Sequence, residues 1–242
     1  MGLLSNKIDI EQLNPGDHIY SWRQSYIYAH HGIYVGLGMV IHFTSGAGQE
    51  IGRTTILDHL SFSSSSFHAT EIPCPTCNHK TSSDGVIASC LSCFLSGNHL
   101  CRFEYGVSIP YFLGKVQGGT CTLAPSDSEA DVLHHAYLLL ENGFGRYDTV
   151  NNNCEDFAIY CKTGLQVDMS SRTRVGLSGQ ALSFFSVTGS IISALRFIST
   201  KCAGMPIGCA MYCFGRYVTD IGVRSDVSKV PVEKLIAEMK MK

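Results

Sequence analysis

Two apolar runs, Tyr26 to Gly36 and Met39 to Phe43, meet across Gly36-Leu37-Gly38 and constrain this chain more than any other feature. Runs rich in β-branched and aromatic residues, joined over a glycine turn, make a β-hairpin. Side chains alternate across a strand, so register decides which residues share a face. A two-residue turn at Leu37-Gly38 pairs Ile33 with His42 and sets His30 and His42 on opposite faces. A three-residue turn pairs Val35 with Met39 and Gly32 with His42. It gathers Ile33, Val35, Met39, Ile41 and Phe43 on one apolar face and leaves His30, Gly32, Tyr34, Val40 and His42 on the other. The coherent apolar face selects the three-residue turn. Gly32 then opens space beside His42, and His31 falls on the core side as a packing residue. Two histidines on one face suit nucleophile activation, one taking a proton and the other orienting it.

A nucleophile for that pair stands far along the chain. Asn151-Asn152-Asn153 precedes Cys154-Glu155-Asp156-Phe157, and an asparagine run before a helix supplies its cap. Cys154 then occupies the first turn, where unpaired amides and the positive end of the helix dipole favour a thiolate. Glu155 and Asp156 oppose that charge and are expected to face solvent or to serve as partners of the helix dipole, not to line the site. The helix runs to Gly164, with Phe157, Ala158 and Cys161 on one side.

Around these lie simpler elements. Pro15-Gly16-Asp17 is a turn feeding a short strand, His18 to Trp22, and Phe103 to Tyr105 and Gly119 to Leu123 read as further strands. A helix follows Pro125, with Ser126 as cap, Glu129 as its capping-box partner and Gly143 as its end. Residues 61–66 are low-complexity serine.

Eleven cysteines in 242 residues, with no basic segment and apolar run at the N-terminus, point to an intracellular protein with reduced, metal-bound or reactive thiols. Cys74-Pro75-Thr76-Cys77 and Cys90-Leu91-Ser92-Cys93, twelve residues apart, have the spacing of a four-cysteine structural zinc site. Disulfides, a redox role and plain buried thiols are the alternatives. A closed site of this kind folds the insert, residues 71–101, and leaves no position for substrate. Net charge of −2, without a basic stripe, excludes nucleic acid as the expected partner.

The last third changes character. Val175 to Leu195 carries no charged residue, and from Phe197 to Gly215 only Lys201 interrupts. Such a tail either meets a membrane or packs as a buried helical hairpin. Val230 to Lys242 reads as a short amphipathic helix.

Pro15-Gly16-Asp17, His30-His31-Gly32-Ile33-Tyr34-Val35-Gly36, Val40-Ile41-His42-Phe43 and Asn153-Cys154-Glu155-Asp156-Phe157 resemble, in that order, the lecithin:retinol acyltransferase (LRAT) family, in its plant branch. The resemblance implies an α+β fold: a permuted papain-like (NlpC-type) antiparallel sheet with a nucleophile-bearing helix, here with a cysteine-rich insert and a hydrophobic helical C-terminal tail. It implies a catalytic domain over residues 10–170; residues 171–242 follow as the hydrophobic C-terminal region, expected at a membrane or packed on that domain. It further implies His30 as base, His42 as third member and Cys154 as acyl-thioester nucleophile, with no cofactor for catalysis. His31 stands where animal members tend to have Trp, and Asp156 where they have His, so the acceptor stays open. The expected substrate is a lipid acyl ester met at a membrane surface by a cytoplasmic protein. A cysteine amidase or peptidase and a non-catalytic membrane-associated scaffold are the competing readings.

Overall fold

The computed structural model describes residues 5–23, 28–45, 73–78, 83–115, 118–148, 152–167 and 204–241, the side chains of the last stretch from residue 210 onward. The fold is α+β. β1 (His18–Arg23), β2 (Tyr28–Gly36), β3 (Met39–Ser45), β4 (Asp84–Cys90) and β5 (Cys101–Arg102) form one sheet in the order β4-β3-β2-β1-β5, each pair antiparallel.

The hairpin differs from expectation at its tip and agrees with it below. The turn has two residues, Leu37 and Gly38, both with positive φ (50° and 71°), as a primed hairpin turn requires. Gly36 pairs with Met39, and a bulge between Tyr34 and Gly36 then absorbs one residue. Beneath the bulge Tyr34 faces Val40, Ile33 faces Ile41 and Gly32 faces His42. An extra residue in one strand resets the register by one, so the expected partition of side chains holds although the three-residue turn does not.

Two helices cover the Ile33 face: α3 (Glu129–Asn142) and α4 (Cys154–Thr163). Ile33, Ile41 and Phe43 pack there with Val132, Ala136 and Leu139 of α3 and with Phe157, Ala158 and Cys161 of α4. The α3 cap is Ser128, whose side chain accepts from the Asp131 amide, not Ser126, whose hydroxyl donates to the Asp127 carbonyl. Ser128-x-x-Asp131 offers the same capping chemistry one half-turn later and wins because it abuts the first helical residue.

The cysteine insert is part of this sheet. β4 lies inside it and pairs with β3 along its whole length, from Met39–Cys90 to Ser45–Asp84. α1 (Leu91–Leu95) follows directly, and its Leu91 and Phe94 cluster with Ile19, Val40 and Leu100 on the face opposite α4. The expected strands at Phe103–Tyr105 and Gly119–Leu123 reduce to one parallel bridge, Glu104 to Cys121.

α2 (Ile109–Gly114) leads back toward that bridge. Near the C-terminus, α5 (Gly204–Thr219) precedes β7 (Val227–Lys229), which pairs with β6 (Leu165–Val167), and α6 (Val232–Lys240) closes the chain. Val232, Leu235 and Ile236 of α6 join the α3–α4 core. Among the described residues no helix is long and apolar enough to cross a membrane. The serine run and most of the uncharged stretch, residues 175–203, lie outside the described residues.

Candidate active site and metal centre

His30 and His42 meet as their shared face predicts. His30 Nε2 and His42 Nδ1 are 2.8 Å apart, and His42 Nε2 is 2.9 Å from Ser89 Oγ on β4. All three are buried, and Phe94 packs against both imidazoles with ring centroids 5.2 and 5.4 Å away. Gly32 is what makes the fit: a Cβ there would lie 2.8 Å from Val40 Cγ1, 2.9 Å from Phe94 Cε2 and 3.0 Å from His42 Cβ. A neutral imidazole donates from one nitrogen and accepts at the other. If Ser89 Oγ accepts from His42 Nε2–H, then His42 Nδ1 accepts from His30 Nε2–H and the lone pair of His30 sits on Nδ1.

Cys154 is the first residue of α4. Asn153 caps the helix, its Oδ1 accepting from the Glu155 and Asp156 amides at 2.8 and 3.2 Å. Asp156 reaches back to accept from the Asn153 amide at 2.9 Å. This capping box buries Asp156, which takes the second of the two expected roles, at the helix start; Glu155 is fully buried beside it and does not face solvent. Capping can hold a carboxylate inside because it satisfies the acceptor's oxygens with backbone donors.

The sulfur of Cys154 lies 3.8 Å from the carbonyl oxygen of Ala29, one peptide unit before His30, and 4.0 Å from Tyr147 Oη. The body of α4 covers the Ile33 side of the sheet while the histidine rings face α1. Helix α4 and the histidine pair therefore lie on the two sides of β2, and the Cys154 sulfur reaches the main chain at its start, next to His30. Main-chain direction says where. Tyr34 aims both its amide and its carbonyl at the segment leading into β1, bonding Asp17 and Gly16. Main-chain groups alternate along a strand, so His30 aims toward β1 and Ala29 toward β3. The thiol thus adjoins the β3-facing edge of β2, the edge that the His30–His42 bond spans. Lys162, at the other end of α4, donates to the Gly16 carbonyl at 3.0 Å and so fastens the Pro15-Gly16-Asp17 turn to the nucleophile helix.

A second histidine chain escaped sequence reasoning. His18 Nδ1 is 2.7 Å from Tyr105 Oη, and His18 Nε2 is 2.8 Å from His31 Nδ1, all on the α4 side of the sheet. His31 stacks on Tyr20, and His18 lies nearly parallel to Phe103. Burial holds both imidazoles well below their usual pKa; each also feels a neighbouring histidine, and His18 the Lys162 charge. His31 is a core residue, as expected, but a hydrogen-bonded one. Only the cross-strand pairing of Tyr20 with His31 brings His18 within reach.

Cys74, Cys77, Cys90 and Cys93 come together with all four sulfurs within 4.8 Å of one another. Cys74 Sγ is 4.0 Å from Cys90 Sγ, and Cys77 Sγ 3.8 Å from Cys93 Sγ. A tetrahedral ion with arms of about 2.3 Å needs sulfurs roughly 3.8 Å apart; a disulfide needs about 2.05 Å. The four thiols are free, and the geometry fits a metal ion. Amides of Cys77 and Thr76 point at Cys74 Sγ and bring that thiol down to about 6, as a knuckle turn does for a ligand.

A capped helix presenting a thiol to a histidine-bearing antiparallel sheet defines a class, and comparison supplies it. The family model described as Lecithin retinol acyltransferase matches residues 11–167, and the chain belongs to that family. The family implies a papain-like fold and acyltransferase- or hydrolase-type activity. The chain is also similar to Protein LEAD-SENSITIVE 1 of Arabidopsis thaliana, 53% identical over 238 residues that make up 97% of this chain and 90% of that protein.

Proposed function

We propose that the protein is a thiol acyl enzyme acting on lipid esters, with Cys154 as nucleophile, His30 as base and His42 as the residue that orients His30. The observation that supports this reading is the contact of the Cys154 sulfur with the Ala29 carbonyl, one residue before His30, whose ring heads the His30–His42–Ser89 chain. With Nε2 engaged by His42, the acceptor offered to the thiol is His30 Nδ1. The thiol proton passes to His30 as sulfur attacks the acyl carbonyl. The ester C–O bond breaks, and the leaving alcohol takes the proton from His30. The acyl thioester is then attacked by an acceptor hydroxyl, amine or water, whose proton His30 accepts. The C–S bond breaks, the departing thiolate takes the proton back from His30, and Cys154 is restored. Asn153 engages the Glu155 and Asp156 amides, so those two are not the oxyanion donors.

The order of elements, histidine strands before the cysteine helix, supports a permuted papain-like arrangement in which residues 10–170 form the catalytic domain. The uncharged stretch within 171–242 supports delivery of a lipid substrate at a membrane surface, with no nucleic acid involved. Incubating the protein with radiolabelled phospholipid tests the reading. The expected result is a hydroxylamine-sensitive acyl adduct that disappears in Cys154→Ala and in His30→Gln. An adduct that persists in Cys154→Ala overturns the assignment. Hydrolysis of acyl-amide or peptide substrates without any lipid adduct replaces it with an amidase, and no adduct from either class leaves a non-catalytic scaffold.

A further inference from the structure

We propose that the four-cysteine cluster is a metal centre that sets the catalytic histidine pair, with Ser89 as the positioning residue that connects them. The inference rests on the reading of Cys154, His30 and His42 above and adds to it what holds that pair in its working state.

Two of the four sulfur donors are chain neighbours of the groups that touch the histidines. Cys90 follows Ser89, whose hydroxyl meets His42 Nε2 at 2.9 Å. Cys93 precedes Phe94, whose ring lies against both His30 and His42. Ser89 and Phe94 are at most 1% exposed, so neither is a surface contact that could be lost without consequence. The element carrying them is held by β3 and by the Ile19–Val40–Leu100 cluster, and so from one side only. β4 is an edge strand, and α1, with five residues, is far shorter than a helix that is stable alone. The other two donors, Cys74 and Cys77, come from a separate turn and would clamp the β4–α1 junction through the ion. Structural metal sites contribute their binding free energy to local folding. Four thiolates at this spacing select a soft, tetrahedral divalent ion, zinc above all.

What Ser89 does chemically follows from the tautomer. For His30 Nδ1 to accept a proton, His42 must carry its own on Nε2 and accept at Nδ1. An acceptor oxygen at Ser89 favours that state, and the metal holds the oxygen there. When the ion leaves, the junction relaxes, Ser89 and Phe94 withdraw, and His30 loses both its orientation and its lid. The cluster thereby makes acyl transfer depend on metal, while the ion itself touches no substrate.

The test reads the reactivity of Cys154 in the whole protein, by mass spectrometry of its peptide after iodoacetamide treatment across a pH series. Protein loaded with zinc alone is compared with protein stripped by chelation under reducing conditions, and near-ultraviolet circular dichroism checks the fold of each. Zinc-loaded protein is expected to bind close to one ion per chain and to show an activated Cys154. Stripping is expected to slow alkylation near neutral pH by about tenfold and to move its pH midpoint upward, as loss of an orienting partner does. Zinc-loaded Ser89→Ala should keep its ion and show the same shift, and Ser89→Thr should restore the wild-type profile. Because Ser89→Ala retains the metal, it decides the matter even if stripped protein unfolds. An unchanged profile in Ser89→Ala, or no zinc bound when zinc is supplied, overturns the proposal. A Cys154 that behaves as an ordinary thiol in every form, zinc-loaded included, overturns instead the catalytic reading beneath it.

Discussion

His18 and His31 share a hydrogen bond of 2.8 Å in the interior, where both imidazoles are held neutral chiefly by burial. In the unfolded chain each takes a proton near pH 6.5. The folded pKa is the lower of the two, so below 6.5 the unfolded state binds more protons and stability drops as the pH is lowered. Above 6.5 the full contribution is present. Each histidine adds a slope of up to about 1.4 kcal/mol per pH unit in the window below 6.5. Urea unfolding at about pH 7.5 and about pH 5.5 should therefore give a markedly lower stability in acid. His31→Phe, which keeps the stack on Tyr20, should flatten part of that dependence; an unchanged slope would place the titration elsewhere.

Gly32→Ala should weaken fold and site together. The new methyl meets Val40, Phe94 and His42, all buried, and overpacking of this kind costs about 1–3 kcal/mol. Since two of the displaced groups contact His30, adduct formation on Cys154 should fall more than stability alone explains. Gly38→Ala is the control. It has nothing within 4 Å and a φ of 71°, so it should cost about 1 kcal/mol in backbone strain and leave adduct formation intact.

The face assignment of the hairpin was legible in the sequence because a period of two survives an error at the tip. The bulge at Val35 converts a two-residue turn into the register expected of three. The Asn153 cap, the four-cysteine cluster and the C-terminal helix were legible for a similar reason: each is a local pattern with a local cause. β4 was not. Asp84 to Cys90 is short, sits among turn residues, and reads as a strand only when β3 is beside it. Ser89 could not be linked to His42 before that pairing was known, nor His18 to His31 before the β1–β2 register. Between solvent and the helix start the sequence left Glu155 and Asp156 open, because a carboxylate there is equally suited to both; Asp156 takes the capping role and both are buried.

Asn153→Ala removes the acceptor of two first-turn amides. Loss of such a cap costs about 1 kcal/mol, a modest effect on unfolding. The effect on Cys154 should be larger in proportion, because the sulfur is placed by the turn that frays. The expected outcome is a small drop in denaturation midpoint with a clear fall in the rate of acyl-adduct formation. Asn153→Ser, which caps nearly as well, should recover both; equal rates in the alanine and wild-type proteins would show that the cap does not place the nucleophile.

Leu235→Ala tests whether the end of the chain belongs to the domain that carries the site. Leu235 is buried on α6 among side chains of α3 and α4, in the cluster that supports Phe157 and Ala158. Truncating a leucine so placed costs about 2–5 kcal/mol, the spread reflecting how far the surroundings can collapse. Met241, just past the helix, is largely exposed, and Met241→Ala should change nothing measurable. If α6 is integral, Leu235→Ala shifts one cooperative urea transition to lower midpoint and Cys154 reactivity is lost along that same curve. A C-terminal segment that folds by itself would instead melt in a separate early step and leave the thiol active until the main transition.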